Sequence, residues 1–205
     1  YEVTSNLLNF SKGNNGLLIL SRYPLKNLDY KQLDYFFLNR GALFATVETP
    51  AQGDVDVACT HLSTEIAIPP YWGDYESWED EQNYQTQQIL DWREFDVMIG
   101  DFNSSMETER ISPYTPVPFN MITEDGYFSP YAEQDPDCTW CVDNPIATPD
   151  DGDLVLDHLF FNPSYRNAVI NVERIIDQEI TVQDRWWNDQ KTWLSDHAGI
   201  TCELE

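Results

Sequence analysis

An α+β or α/β sandwich is the fold class this sequence predicts, and three observations carry it. Short apolar runs of strand length recur along the chain, bounded by turn residues. Only one stretch, between Tyr75 and Trp92, reads as a convincing helix. Residues 104–153 are rich in Pro, Asp and Tyr with weak periodicity, which suits long ordered loops around short elements rather than a helical bundle.

Taken in order, Gly16 to Leu20 (GLLIL) is a short apolar run ended by Ser21 to Pro24, the pattern of a buried strand. Gly41 to Val47 and Asp54 to Thr60 read as two strands joined through the turn Thr49 to Gly53, a hairpin. A polar, aromatic stretch from Ile68 to Asp74 leads into the helix. There Trp78, Ile89 and Trp92 are interspersed with Glu, Gln and Asp, as expected of a helix lying on one face of a sheet. Asp96 to Gly100 is another buried strand and runs directly into Asp101-Phe-Asn103. Leu154 to Phe161, Ala168 to Ile175 and Ala198 to Leu204 are further strand candidates. Every polar motif of interest sits at a strand end or just after one, where active sites are commonly built.

Composition bounds the function. The chain has 205 residues, with 11 Lys+Arg against 36 Asp+Glu, a formal net charge of −25. Hydrophobic residues at 41% and aromatics at 14% are too abundant for a disordered chain. No apolar run approaches the roughly 20 residues that span a bilayer, which excludes an integral membrane protein with helical spans. The charge excludes a basic DNA-packaging protein, because nonspecific polyanion binding rests on Lys/Arg–phosphate contacts. It does not exclude a nuclease, whose catalysis needs only a local site. Scarce lysine (Lys12, Lys26, Lys31 and Lys191) beside excess acid fits salt adaptation and an acidic secreted protein equally. The chain starts at Tyr1 without a signal-peptide pattern, as a processed chain or a fragment would. Acidity, this start and an even cysteine count together lead us to expect a secreted or extracellular protein.

Cys138 and Cys141 stand in Cys-Thr-Trp-Cys, among Asp-Pro and Asn-Pro turns. Zinc would need two further ligands that no second CxxC or nearby His supplies, and a redox pair normally opens a helix. A local disulfide or two idle thiols is the reading that remains. Cys59 and Cys202 fall in apolar runs and read as buried free thiols.

The three histidines are more informative. His61, His158 and His197 each follow an apolar run or lie within one, beside a hydroxyl or acidic neighbour (Thr60, Asp157, Asp196). One such histidine is usually a satisfied structural residue. Three of three, with Gly100-Asp-Phe-Asn103 after another strand, point to a site. Histidine titrates near neutrality and can move a proton to or from an oxygen, and a neighbouring Asp fixes its tautomer. Converging carboxylates without basic partners suit a hard divalent cation. The set fits metal-assisted hydrolysis of a phosphate ester. Neither a G-x-S-x-G nucleophile elbow nor a P-loop occurs, which argues against a serine hydrolase and an NTPase.

Five blocks, Gly13 to Leu25, Cys59-Thr-His-Leu-Ser63, Ile99-Gly-Asp-Phe-Asn-Ser104, Leu156-Asp-His-Leu-Phe160 and Leu194-Ser-Asp-His-Ala198, stand in the order typical of the endonuclease/exonuclease/phosphatase superfamily. The chain resembles that superfamily over roughly residues 13 to 200, and Cys138-Thr-Trp140 with Asn144-Pro145 is most similar to its sphingomyelinase-like branch. The resemblance implies a DNase I-like four-layer sandwich of two β-sheets flanked by helices. It also implies an Mg²⁺-dependent phosphodiesterase, with Ca²⁺ or Mn²⁺ as other candidate ions and a lipid head group or nucleic acid as substrate. By position, it assigns His61 to phosphate contact and proton transfer, Asp101 to orienting the attacking water, and Asn103 to phosphate binding. Asp157 is assigned as the partner of His197, and Asp196 to the metal. His158 stands where the family varies and is expected to be structural.

Family members carry an N-terminal portion with the main metal-binding Glu, and no Gln-Glu pair precedes Gly13 here. The expectation is that residues 1–205 are the C-terminal two-thirds of one such domain. A complementary N-terminal chain held noncovalently is the expected partner. A phosphomonoesterase is the near alternative, and a non-catalytic module that retains the fold is the distant one. Asp135 to Asp137 and Asp150 to Asp153 read as solvated acidic turns rather than Ca²⁺ sites. Tyr71, Trp72, Tyr75 and Trp78 could rim a substrate site or pack helix to sheet, and Trp186, Trp187 and Trp193 are expected near the mouth of the site.

Overall fold

Period-two alternation in the apolar runs decides the architecture, because it gives each strand two faces with different partners. The computed structural model describes residues 2–4, 16–66, 70–108, 111, 113–147, 152–183 and 189–205. The strands are β1 (Glu2–Thr4), β2 (Leu18–Leu20), β3 (Leu25–Gln32), β4 (Gly41–Thr49), β5 (Gly53–His61), β6 (Val97–Asp101) and β7 (Asp157–Phe161). They continue with β8 (Val169–Ile175), β9 (Ile180–Gln183), β10 (Asp189–Thr192) and β11 (Gly199–Leu204). The α-helices are α1 (Trp78–Leu90) and α2 (Val117–Glu124).

A five-stranded sheet in the order β3-β4-β5-β6-β7 forms the centre. The predicted hairpin is its β4–β5 pair, antiparallel from Ala42↔Thr60 to Thr49↔Gly53. β6 pairs parallel to β5, with α1 in the crossover, and β7 returns antiparallel to β6. One face of the sheet (Ala42, Phe44, Ala58, Met98, Phe160) packs with Ile89 of α1 and Ile122 of α2. The other face (Val55, Val97, Phe161, with Val57, Ile99 and Leu159) packs with Val169, Cys202 and Leu204 of the antiparallel β8–β11 pair. Helices, a central sheet and a second sheet layer are thus stacked, the mixed α/β sandwich that was expected.

Several elements depart from the sequence reading, among them β1, β9 and β10, where no strand was expected. β3 was not anticipated: its residues (LKNLDYKQ) alternate poorly and lie at the sheet edge, with a register shift between Lys26 and Asp29. α2 lies in the region read as loops; it is eight residues long and starts at a proline. α1 does bury Trp78 and Ile89, but its inward face is otherwise Glu81, Gln82, Gln85 and Thr86, and Trp92 lies beyond the helix.

Candidate active site

The strand pairing lines up chemistry. In the parallel β5–β6 register His61 lies opposite Asp101, and in the antiparallel β6–β7 register Asp101 lies opposite Asp157. Three of the candidate site residues therefore form a row across adjacent strands. By alternation they share the sheet face of Val57, Ile99 and Leu159, away from the helices. Gly100 makes the close pairing possible: its φ is +142°, and a Cβ there would lie 1.9 Å from the Thr60 carbonyl oxygen. Only glycine fits this approach.

His197 comes in from the loop before β11. Its Nδ1 is 2.7 Å from Asp157 Oδ2, and its Nε2 is 4.0 Å from Asp101 Oδ2. His61 Nε2 is 3.4 Å from the same Asp101 oxygen, so both imidazoles face one carboxylate. The other oxygen, Asp101 Oδ1, accepts the Asn103 backbone N–H at 2.8 Å. Asn103 has φ 47°, in the left-handed region that asparagine tolerates. It is buried and donates Nδ2 to the Leu62 carbonyl at 3.0 Å, tying the end of β6 to the end of β5.

These contacts set the charges. Burial lowers His197, but the hydrogen bond to Asp157 and the charges of Asp157, Asp101 and Asp196 outweigh it and raise it to about 9. Asp101 is raised to about 7, first by burial and then by the Asp157 carboxylate, against the pull of His197, the Asn103 N–H and Arg40. His61, whose side chain is 47% exposed, is held below its ordinary value by partial desolvation, then by Arg40 and His197.

Asp101, Asp157 and His197 offer ligand atoms within 4.8 Å of one another. Two carboxylates this close concentrate negative charge that a hard cation would relieve, so the donor set fits a divalent ion. Asp196 is not in this group; its carboxylate accepts Ser195 Oγ–H at 3.4 Å and acts on His197 through its charge. His158 is structural: it is 2% exposed, stacks among Phe102, Phe119 and Phe160, and sits with Nε2 2.8 Å from the Ser104 carbonyl.

Sequence reasoning missed two groups of residues. Arg40, just before β4, is 7% exposed, and its buried Nε has no hydrogen-bond partner. Its charge acts on His61 and Asp101. No motif surrounds it, and only the β4–β5 pairing brings it to the site. The polar face of α1 was also missed. Gln82 Nε2 donates to the carbonyls of Phe102 and Asn103 at 2.9 and 2.6 Å, and Gln85 Oε1 accepts the Ser63 N–H at 2.8 Å. Glu81 Oε1 accepts Ser63 Oγ–H at 2.6 Å. Cys138 and Cys141 form the local disulfide that their spacing among turn residues led us to expect. Cys59 and Cys202 are free and half-buried.

Among the aromatics, Tyr71 and Trp78 pack with one another and with Phe36 of the β3–β4 loop, while Trp72 is exposed. Trp186, Trp187, Asp150, Asp151 and Gly13 to Asn15 lie outside the described residues. Asp153 accepts the Val142 N–H at 2.9 Å, the role of a turn residue.

A central mixed sheet covered by helices on one face and a second sheet layer on the other defines a DNase I-like fold. It is the fold of endonuclease/exonuclease/phosphatase superfamily structures. The sequence matches no protein-family model and no curated protein. Solved structures do match. An endonuclease/exonuclease/phosphatase from Beutenbergia cavernae is similar at a TM-score of 0.69 and 20% identity, over 100% of this chain and 53% of that one. Sphingomyelinase C from Streptomyces griseocarneus matches at 0.63 and 16%, over 94% of this chain and 68% of that one. A 3′ phosphatase from Neisseria bound to product DNA hairpin matches at 0.68 and 17%, over 100% and 79%. The chain thus spans about half the length of the Beutenbergia protein.

Proposed function

We propose that this chain carries the site of a divalent-metal-dependent hydrolase of phosphate esters, most simply a phosphodiesterase. The observation that carries the reading is the row of His61, Asp101 and Asp157 across three strand ends, closed by His197 on Asp157. Neighbours named as a sphingomyelinase and a DNA 3′ phosphatase support a phosphate-ester substrate.

Asp101 faces both imidazoles through Oδ2 and is the group that orients the attacking water and accepts its proton. The water oxygen bonds to phosphorus while the ester P–O bond opposite it breaks, and the departing oxygen keeps the bonding pair and takes up a proton from solvent. His197, held as a cation by Asp157, and neutral His61 hydrogen-bond the non-bridging oxygens where charge accumulates. Arg40 supplies a buried positive charge beside them. Asp101 and Asp157 are the carboxylates that would hold Mg²⁺, which would offset the charge that builds on the phosphate.

The test is mutational, on the native full-length protein with millimolar Mg²⁺. His61→Ala and His197→Ala should each lower kcat by about 10²–10⁴-fold on a phosphodiester. Near-normal turnover in either variant removes that histidine from the mechanism. Parallel assays with sphingomyelin, plasmid DNA and a phosphomonoester identify the substrate class.

A further inference from the structure

Asp157 and His197 are forty residues apart and approach from different elements, yet their side chains meet at 2.7 Å. One short segment touches both. Thr139 Oγ1 accepts the backbone N–H groups of Leu156 and Asp157 at 2.9 and 3.1 Å, at the point where β7 begins. The Thr139 carbonyl accepts the Ala198 N–H at 2.8 Å, on the far side of His197. The Trp140 ring packs on the His197 imidazole with centroids 4.9 Å apart. Asn144 Nδ2 donates to the carbonyls of Ser195 and Asp196 at 2.9 and 3.1 Å. Thr139 and Trp140 are the two residues inside the ring that the Cys138–Cys141 disulfide closes. Both cysteines are buried, and Arg174 Nη1 anchors the Cys138 carbonyl at 3.0 Å.

We propose that this four-residue disulfide ring is the seat of the Asp157–His197 pair, and that Thr139 is its positioning residue. The inference deepens the hydrolase reading and rests on it for its catalytic consequence. A ring this short removes little entropy from the unfolded chain, because that gain grows with the length of the closed loop. Its effect is on the folded geometry. The threonine hydroxyl and carbonyl stand at a set separation, and they hold the two chain segments that carry the carboxylate and the imidazole. Loosening the ring lets those segments move apart without unpairing the strands. Displacements of about 1 Å are enough to lower turnover by about a hundredfold.

The experiment uses the native full-length protein with ¹⁵N-labelled histidine. The His197 Nδ1 proton in its hydrogen bond to Asp157 gives a downfield NMR signal, assigned by its loss in Asp157→Asn. In Thr139→Val and in the double variant Cys138→Ser/Cys141→Ser this signal should disappear, with dispersed amide spectra retained. Thr139→Ser, which keeps the hydroxyl, and Cys59→Ser/Cys202→Ser should keep it. In phosphodiester hydrolysis the first two variants should lose at least tenfold in kcat with KM within twofold, and the last two should match wild type. Persistence of the signal in Thr139→Val or in the double cysteine variant overturns the proposal. So does global unfolding of both, which would make the ring a support for the whole fold rather than for one pair. If wild type shows no hydrolysis, the hydrolase reading fails and the NMR result still decides whether the ring seats the pair.

Discussion

At the scale of single residues, the site is governed by one carboxylate between two imidazoles and another bonded to one of them. The Asp157–His197 hydrogen bond raises His197 from 6.5 to about 9. A folded-state value above the ordinary one stabilises the fold fully below about 6.5, and that stabilisation is lost as pH climbs through about 9. Asp157→Asn removes the partner while leaving the ring buried. The alkaline limb of the pH–rate profile should then move from about 9 toward or below 6.5, with kcat lowered by about 10²–10⁴-fold. An unmoved alkaline limb would detach His197 from Asp157 functionally. Asp101 has the opposite sign. Its value is raised from 3.8 to about 7, so ionising it costs the metal-free fold stability as pH rises across that window. Asp101→Asn, which keeps an acceptor for the Asn103 N–H, should raise Tm at pH 8 without metal while abolishing turnover. A lower Tm in that variant would contradict the charge assignment.

At the scale of elements, α1 ties down the loops that follow β5 and β6. Between Trp78 and Ile89 its buried face meets polar groups: Gln82 binds the carbonyls of residues 102 and 103, Gln85 accepts the Ser63 N–H, and Glu81 accepts the Ser63 hydroxyl. Gln82→Met keeps the volume and strands two carbonyls. It should cost about 1–3 kcal/mol in denaturant unfolding and lower kcat as well. A variant as stable and active as wild type would remove the helix from the account. This face also shows where sequence reading stops. Trp78 and Ile89 were legible as inward residues because apolar side chains at helical spacing imply burial. Glu81, Gln82 and Gln85 were not, because polar residues at that spacing read as solvated unless their backbone partners are known. β3 and α2 were missed for related reasons: one is a half-exposed edge strand with little alternation, and the other is two turns long with prolines at its start.

At the scale of the whole molecule, the strand order does what no single motif does. His61, Asp101 and Asp157 were legible because each ends or begins an apolar run beside a telling neighbour. Their meeting depends on a parallel β5–β6 pair and an antiparallel β6–β7 pair, which the sequence does not spell out. Arg40 was illegible for the same reason: it becomes a site residue only through the position of β4 beside β5. A net charge of −25 makes a cation doubly useful, at the site and across the surface. Millimolar Mg²⁺ should therefore raise Tm more than NaCl at equal ionic strength, and Asp157→Ala should reduce the excess to what the surface charge alone gives. The central claim is that one metal-dependent site for phosphate esters is assembled at these strand ends. Its most direct measurement is the hydrolysis of bis(4-nitrophenyl) phosphate by the native full-length protein, with Mg²⁺ and then with EDTA. Turnover that EDTA abolishes and Mg²⁺ restores is the predicted result; turnover unchanged by EDTA, or none with Mg²⁺, would contradict it.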